Sequence, residues 1–142
     1  MDEHADHRAT YPKTAACMCG ALTVSVAAPP QRIHACACLD CQRRSGSAFS
    51  YTAFFPDSAV SITGEFRSWR RVADSGRWHE AHFCPSCGCT VFIRMKAMPG
   101  IVAVPAGCFA EPEFEKPRKL YWSARRHHWL AAPPGVEPVE TQ

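Results

Sequence analysis

Seven of the nine cysteines fall into three short clusters: Cys17-Met18-Cys19-Gly20, Cys36-Ala37-Cys38-Leu39-Asp40-Cys41 and Cys84-Pro85-Ser86-Cys87-Gly88. Thiolates two or three residues apart on a turn converge on one centre about 2.3 Å from each sulfur, the spacing with which a chain grips zinc. Two tetrahedral ions closed by protein alone need about eight donors, and the clusters supply one fewer. One centre is thus expected to be closed and structural, the other to hold three sulfurs and a position for chemistry.

Metal binding is preferred to disulfides because of where the chain is expected to reside. Nothing approaches the run of about 18 apolar residues needed to cross a bilayer. The start, Met1-Asp2-Glu3-His4-Ala5-Asp6-His7, has neither the basic nor the apolar region of a signal peptide. A cytoplasmic location follows, where thiols stay reduced. An odd cysteine count and the poor geometry of CxC and CxxC pairs for bridging themselves agree. An iron–sulfur centre would use four of the same thiolates, but the longer cysteine runs of ferredoxins are absent.

The chain of 142 residues, 46% hydrophobic, is the size of one domain with a substantial core. Sixteen Lys and Arg against thirteen Asp and Glu leave a formal charge of +3, too small to mark a nucleic-acid binder. Residues 1–13 are polar and unpatterned, and 131–142 carry Pro133, Pro134 and Pro138; both are expected to be disordered, flanking a zinc β domain over 14–130.

Within that domain the apolar pattern is mostly of period two. Leu22, Val24 and Val26 alternate with Thr23 and Ser25, and Pro29-Pro30 ends that strand. Further strands are predicted over 32–37, 49–55, 60–63, 66–72, 77–83, 90–94, 101–104 and 120–122, with turns at Pro56-Asp57, Gly64-Glu65 and Asp74-Ser75-Gly76. Residues 39–45 read as a tight turn or one short helix stopped by Gly46. Twelve prolines discourage long helices, so the fold class is all-β with antiparallel sheets and little helix.

The first and third clusters share one design: two cysteines, then glycine, then a strand. Glycine permits the positive φ that turns backbone N–H groups toward sulfur. These two knuckles pair as one closed site of Cys17, Cys19, Cys84 and Cys87. Cys36 and Cys38 lie on one side of an extended strand, and Cys41 returns from the turn to form the second site. Whether Cys89, Cys108 or a histidine such as His34 closes that site is left open by sequence. Arg43 and Arg44, directly after Cys41, are candidates to hold the carboxylates of an acidic thiol. Trp69, Trp78 and Trp122 read as core or sheet-face residues, and His127-His128-Trp129 as a cap on the core.

Taken together, CMCG, CACLDCQRRSGSAF and FCPSCGCTVF, followed by PAGCF and LYWSARRHHWL, resemble the glutathione-dependent formaldehyde-activating enzyme family, also called the Gfa or CENP-V family. The likeness covers roughly residues 14–130. It implies a zinc fold of the β-tent type, a structural zinc on Cys17, Cys19, Cys84 and Cys87, and a catalytic zinc on Cys36, Cys38 and Cys41. It further implies a carbon–sulfur lyase that joins glutathione and formaldehyde into S-(hydroxymethyl)glutathione. The expected partner is thus a small thiol such as glutathione, with neither membrane nor nucleic acid, and an oligomer is compatible with the sequence. The rival from another class is a non-catalytic zinc scaffold that binds a protein or nucleic acid through its arginine pairs.

Overall fold

The computed structural model describes residues 10–142, so most of segment 1–13 lies outside the described residues. Among the described residues eleven strands form two sheets. A three-stranded sheet has the order β1-β2-β5, from Lys13–Ala16, Thr23–Val26 and Val60–Thr63. An eight-stranded sheet has the order β11-β10-β3-β4-β9-β8-β7-β6. Its members are β3 (Arg32–Cys36), β4 (Ser50–Pro56), β6 (Arg67–Val72), β7 (Trp78–Phe83), β8 (Thr90–Met95), β9 (Ile101–Pro105), β10 (Lys119–Tyr121) and β11 (Glu137–Pro138). The fold class is all-β, as the period-two pattern predicts.

Two features differ from expectation. The large sheet is mixed, because β10 runs parallel to both β3 and β11. The expected disordered tail is also held in place: Val136 is buried, β11 extends the sheet, and the Val139 N–H donates to the Leu120 carbonyl at 2.9 Å. Three prolines limit hydrogen bonding by the tail, yet an edge strand needs only one bonded side.

The core lies between the sheets. Ala15, Val24 and Val26 from the small sheet, with Leu22 just before β2, meet Ala53, Phe55, Val91, Phe92, Val102 and Val104 from the large one, all fully or nearly fully buried. Each large side chain withdrawn this way contributes roughly 1.5–3 kcal/mol. Alternation then forces the neighbouring residues of the large sheet to its other face. Register pairs Cys36 with Ser50, His34 with Thr52 and Arg71 with His79.

Helix α1 (Leu39–Ser45) follows β3 directly. The Cys38 sulfur accepts from the Cys41 N–H at 3.3 Å as its N-cap. Gly46, at φ +63°, closes its C-terminus in the left-handed conformation that glycine adopts without strain. An ion pair of Arg71 with Asp40, 3.1 Å, ties the helix to edge strand β6.

Candidate metal centres

The first and third clusters, far apart in the chain, meet in space. Cys17, Cys19, Cys84 and Cys87 place their sulfurs within 4.8 Å of one another. Each half is a knuckle of the same construction. In one, Gly20 N–H donates to the Cys17 carbonyl at 3.1 Å and Leu22 N–H to the Cys17 sulfur at 3.3 Å. In the other, Gly88 N–H donates to the Cys84 carbonyl at 2.8 Å and Ser86 N–H to the Cys84 sulfur at 3.4 Å. Both glycines have positive φ, +81° and +76°, as the predicted turn demands. A β-bulge opposite His82 and Phe83 leaves Val91 as the extra residue on β8, where that strand leaves the second knuckle.

The spacing of these sulfurs tests the fit to a metal. Four sulfurs about 2.3 Å from a tetrahedral zinc ion stand about 3.8 Å apart. Cys17 to Cys19 and Cys19 to Cys84 are each 3.7 Å, far beyond the roughly 2.05 Å of a disulfide bond. The donor set therefore fits an ion. The Leu22 N–H, aided by neighbouring thiols, lowers Cys17 to about 6. Cys19 is favoured as thiolate by the Ala21 backbone, but competition with Cys84 and Cys17 pushes it up to about 11. Four crowded thiols cannot all ionise without a cation among them.

The second cluster gathers Cys36, Cys38 and Cys41, again within 4.8 Å of one another. Among the described residues no fourth His, Cys, Asp or Glu joins them. Cys89 and Cys108 lie elsewhere: both sulfurs approach the Thr90 carbonyl, at 3.8 and 3.4 Å, and pack against the core beside Cys17. His34 shares the sheet face with Cys36 but is packed between Phe54 and Tyr121, at ring distances of 4.7 and 4.9 Å. Burial, reinforced by Arg32 and Lys119, holds its imidazole below the ordinary value.

Charge in this trio concentrates on Cys41. Hydrogen bonds from Cys36 and Cys38, another from Ser50 and the field of Arg44 hold Cys41 far below the usual thiol range. Cys36 is correspondingly pushed far up by Cys38, Cys41 and burial. The adjacent arginines separate: Arg44 is half-buried and acts on Cys41, whereas Arg43 is exposed to solvent. Consecutive helix residues point about 100° apart, so only one can face the sulfurs.

Sequence reasoning missed His79 and Ser50. His79 comes from β7 and feels Cys41, Arg44, Asp40 and Arg71; burial lowers it first, Cys41 opposes and Arg44 reinforces. Neither residue carries a local signal: Ser50 reaches the cluster through the β3–β4 register, and His79 comes from β7, which pairs with neither of those strands. Trp69 is on the sheet face but 63% exposed, and Trp129 is 75% exposed, so neither belongs to the core.

A two-sheet β scaffold bearing a four-sulfur and a three-sulfur cluster defines a β protein with two candidate metal–thiolate centres. A family model described as glutathione-dependent formaldehyde-activating enzyme matches residues 12–125, and the chain belongs to that family. It is 36% identical over 63 residues to a Penicillium rubens protein named "Putative glutathione-dependent formaldehyde-activating enzyme". That match covers 44% of this chain and 32% of the relative, so the chain spans about a third of the relative's length. A crystal structure of a Rhodobacter sphaeroides protein shares the fold with a TM-score of 0.56 at 19% identity, covering 73% of this chain and 97% of that one. Among the described residues no helix is long and apolar enough to cross a membrane.

Proposed function

We propose that the chain is a zinc-dependent, carbon–sulfur lyase-like enzyme that makes or breaks the adduct of a small thiol, such as glutathione, with an aldehyde such as formaldehyde. The observation that carries this reading is the unequal donor count: four sulfurs in one cluster and three in the other. Three sulfurs on a tetrahedral ion leave one position to an outside ligand. Cys17, Cys19, Cys84 and Cys87 would hold a structural zinc that staples two distant knuckles, its binding energy adding to folding. Cys36, Cys38 and Cys41 would hold the catalytic one. Thiolates committed to metal rather than to disulfides suit a reducing compartment such as the cytoplasm.

When bound, that second ion lowers the pKa of a substrate thiol or polarises a carbonyl oxygen. The chain's own groups do the rest. Ser50 and Arg44 stabilise negative charge on Cys41, and Arg44 would hold a substrate carboxylate. The half-buried faces of Cys36, Cys38 and Cys41 leave the cluster accessible from the sheet surface. In the forward direction the thiol sulfur bonds to the carbonyl carbon and the thiol proton ends on oxygen; the reverse step returns both. Neither direction needs an oxidant or a reductant.

The test is Cys36→Ser in the zinc-loaded full chain, with adduct formation and decay followed by NMR. The expected variant is folded, holds one zinc instead of two, and has lost turnover. Turnover at the parent rate in that variant would overturn the proposal.

A further inference from the structure

Gln42 sits next to Cys41 in α1 and uses its whole side-chain amide on three partners. Its Nε2 donates to the Ala37 carbonyl at 2.8 Å and to the Arg125 carbonyl at 3.1 Å, and its Oε1 lies 3.0 Å from His127 Nε2. Ala37, fully buried, is the residue that spaces Cys36 from Cys38. Its N–H donates to the Tyr121 carbonyl at 2.9 Å, so the Cys36–Cys38 spacer is pinned at both its N–H and its carbonyl. One pin is a strand neighbour; the other is Gln42.

We infer that Gln42 is the positioning residue of the three-cysteine centre, fixing Cys41 relative to Cys36 and Cys38 and linking the centre to segment 123–130. The inference rests on the reading of that cluster as a metal centre. A side chain that crosses from α1 to the strand exit converts a flexible three-residue hop into a preorganised set of donors. Groups that orient metal ligands in this way typically matter about 10–100-fold in metal affinity. Of the two N–H donors, the one on the Ala37 carbonyl carries the effect, because it holds the backbone between Cys36 and Cys38, while the other reaches the Arg125 carbonyl. The His127 contact supports only the far side of the amide.

The experiment measures zinc retention against a competing chelator in the full chain, for the parent, Gln42→Ala, Gln42→Glu and His127→Ala, with Cys36→Ser marking which ion belongs to which cluster. Both Gln42 variants should weaken the three-cysteine ion about 10–100-fold and leave the four-cysteine ion at its parent affinity. Glu is informative because a carboxylate keeps an acceptor for His127 and loses both donors. His127→Ala should stay within a few-fold of the parent. Parent-like retention in Gln42→Glu, or simultaneous loss of both ions as the chain unfolds, would overturn the positioning role. A parent that holds a single ion would instead overturn the two-centre reading beneath it.

Discussion

Arg71 reaches across from the edge strand to Asp40 at the start of α1, 3.1 Å from guanidinium to carboxylate. Strand β6 and the cysteine-bearing helix are thereby joined on the sheet face opposite the core. Both side chains are about half exposed, so the pair is worth roughly 0.2–1 kcal/mol at most. Arg71→Ala should lower stability by no more than about 1 kcal/mol in dilute buffer, and high salt should close most of that gap. Urea denaturation at two salt concentrations reads both.

Core and surface aromatics should behave oppositely. Phe55, fully buried between the sheets, should cost about 3–5 kcal/mol on replacement by alanine. Trp69, largely exposed on β6, should cost within about 0.5 kcal/mol. Denaturation midpoints of Phe55→Ala and Trp69→Ala make the comparison.

Tyr51, the neighbour of Ser50 on β4, provides a pH test that titrates no thiol. Burial, aided by Glu115, raises its phenol from 10.0 to about 12, and its hydroxyl donates to the Glu115 carbonyl. A folded pKa above the unfolded one means the contribution is complete below pH 10 and is lost as pH rises toward about 12. Tyr51→Phe should therefore be less stable than the parent at neutral pH, with the difference shrinking between those values. Stability curves of the two proteins against pH give the answer.

The adjacent arginines should separate functionally as they do in space. Arg44→Ala removes a charge that acts on Cys41 and should weaken binding of an acidic thiol about tenfold, in line with the worth of a charged hydrogen bond. Arg43→Ala, which alters an exposed side chain, should bind as the parent does. Calorimetric titration of the zinc-loaded variants with glutathione distinguishes them.

Much of the fold was legible because a half-buried strand writes its burial into the chain. Val24 and Val26 alternate with polar partners, and β2 follows that pattern. Strand β1, Lys-Thr-Ala-Ala, has only Ala15 buried, too little contrast for period two to register. Strand β11 is two exposed residues held by backbone bonds and by Val136 just before it, which composition cannot encode. The cysteine groupings could be read because ligand spacing is local. Gln42, Ser50 and His79 could not, since each reaches its neighbours through register or through a bond spanning distant segments.

Cobalt substituted into both centres gives the most direct measurement, through absorption spectra recorded while a small thiol such as glutathione is added. The predicted result is a spectral change from one cobalt per chain, abolished by Cys36→Ser and untouched by changes at Arg43. Spectra that ignore added thiol, or a response that persists without Cys36, would contradict the division into one saturated and one receptive centre.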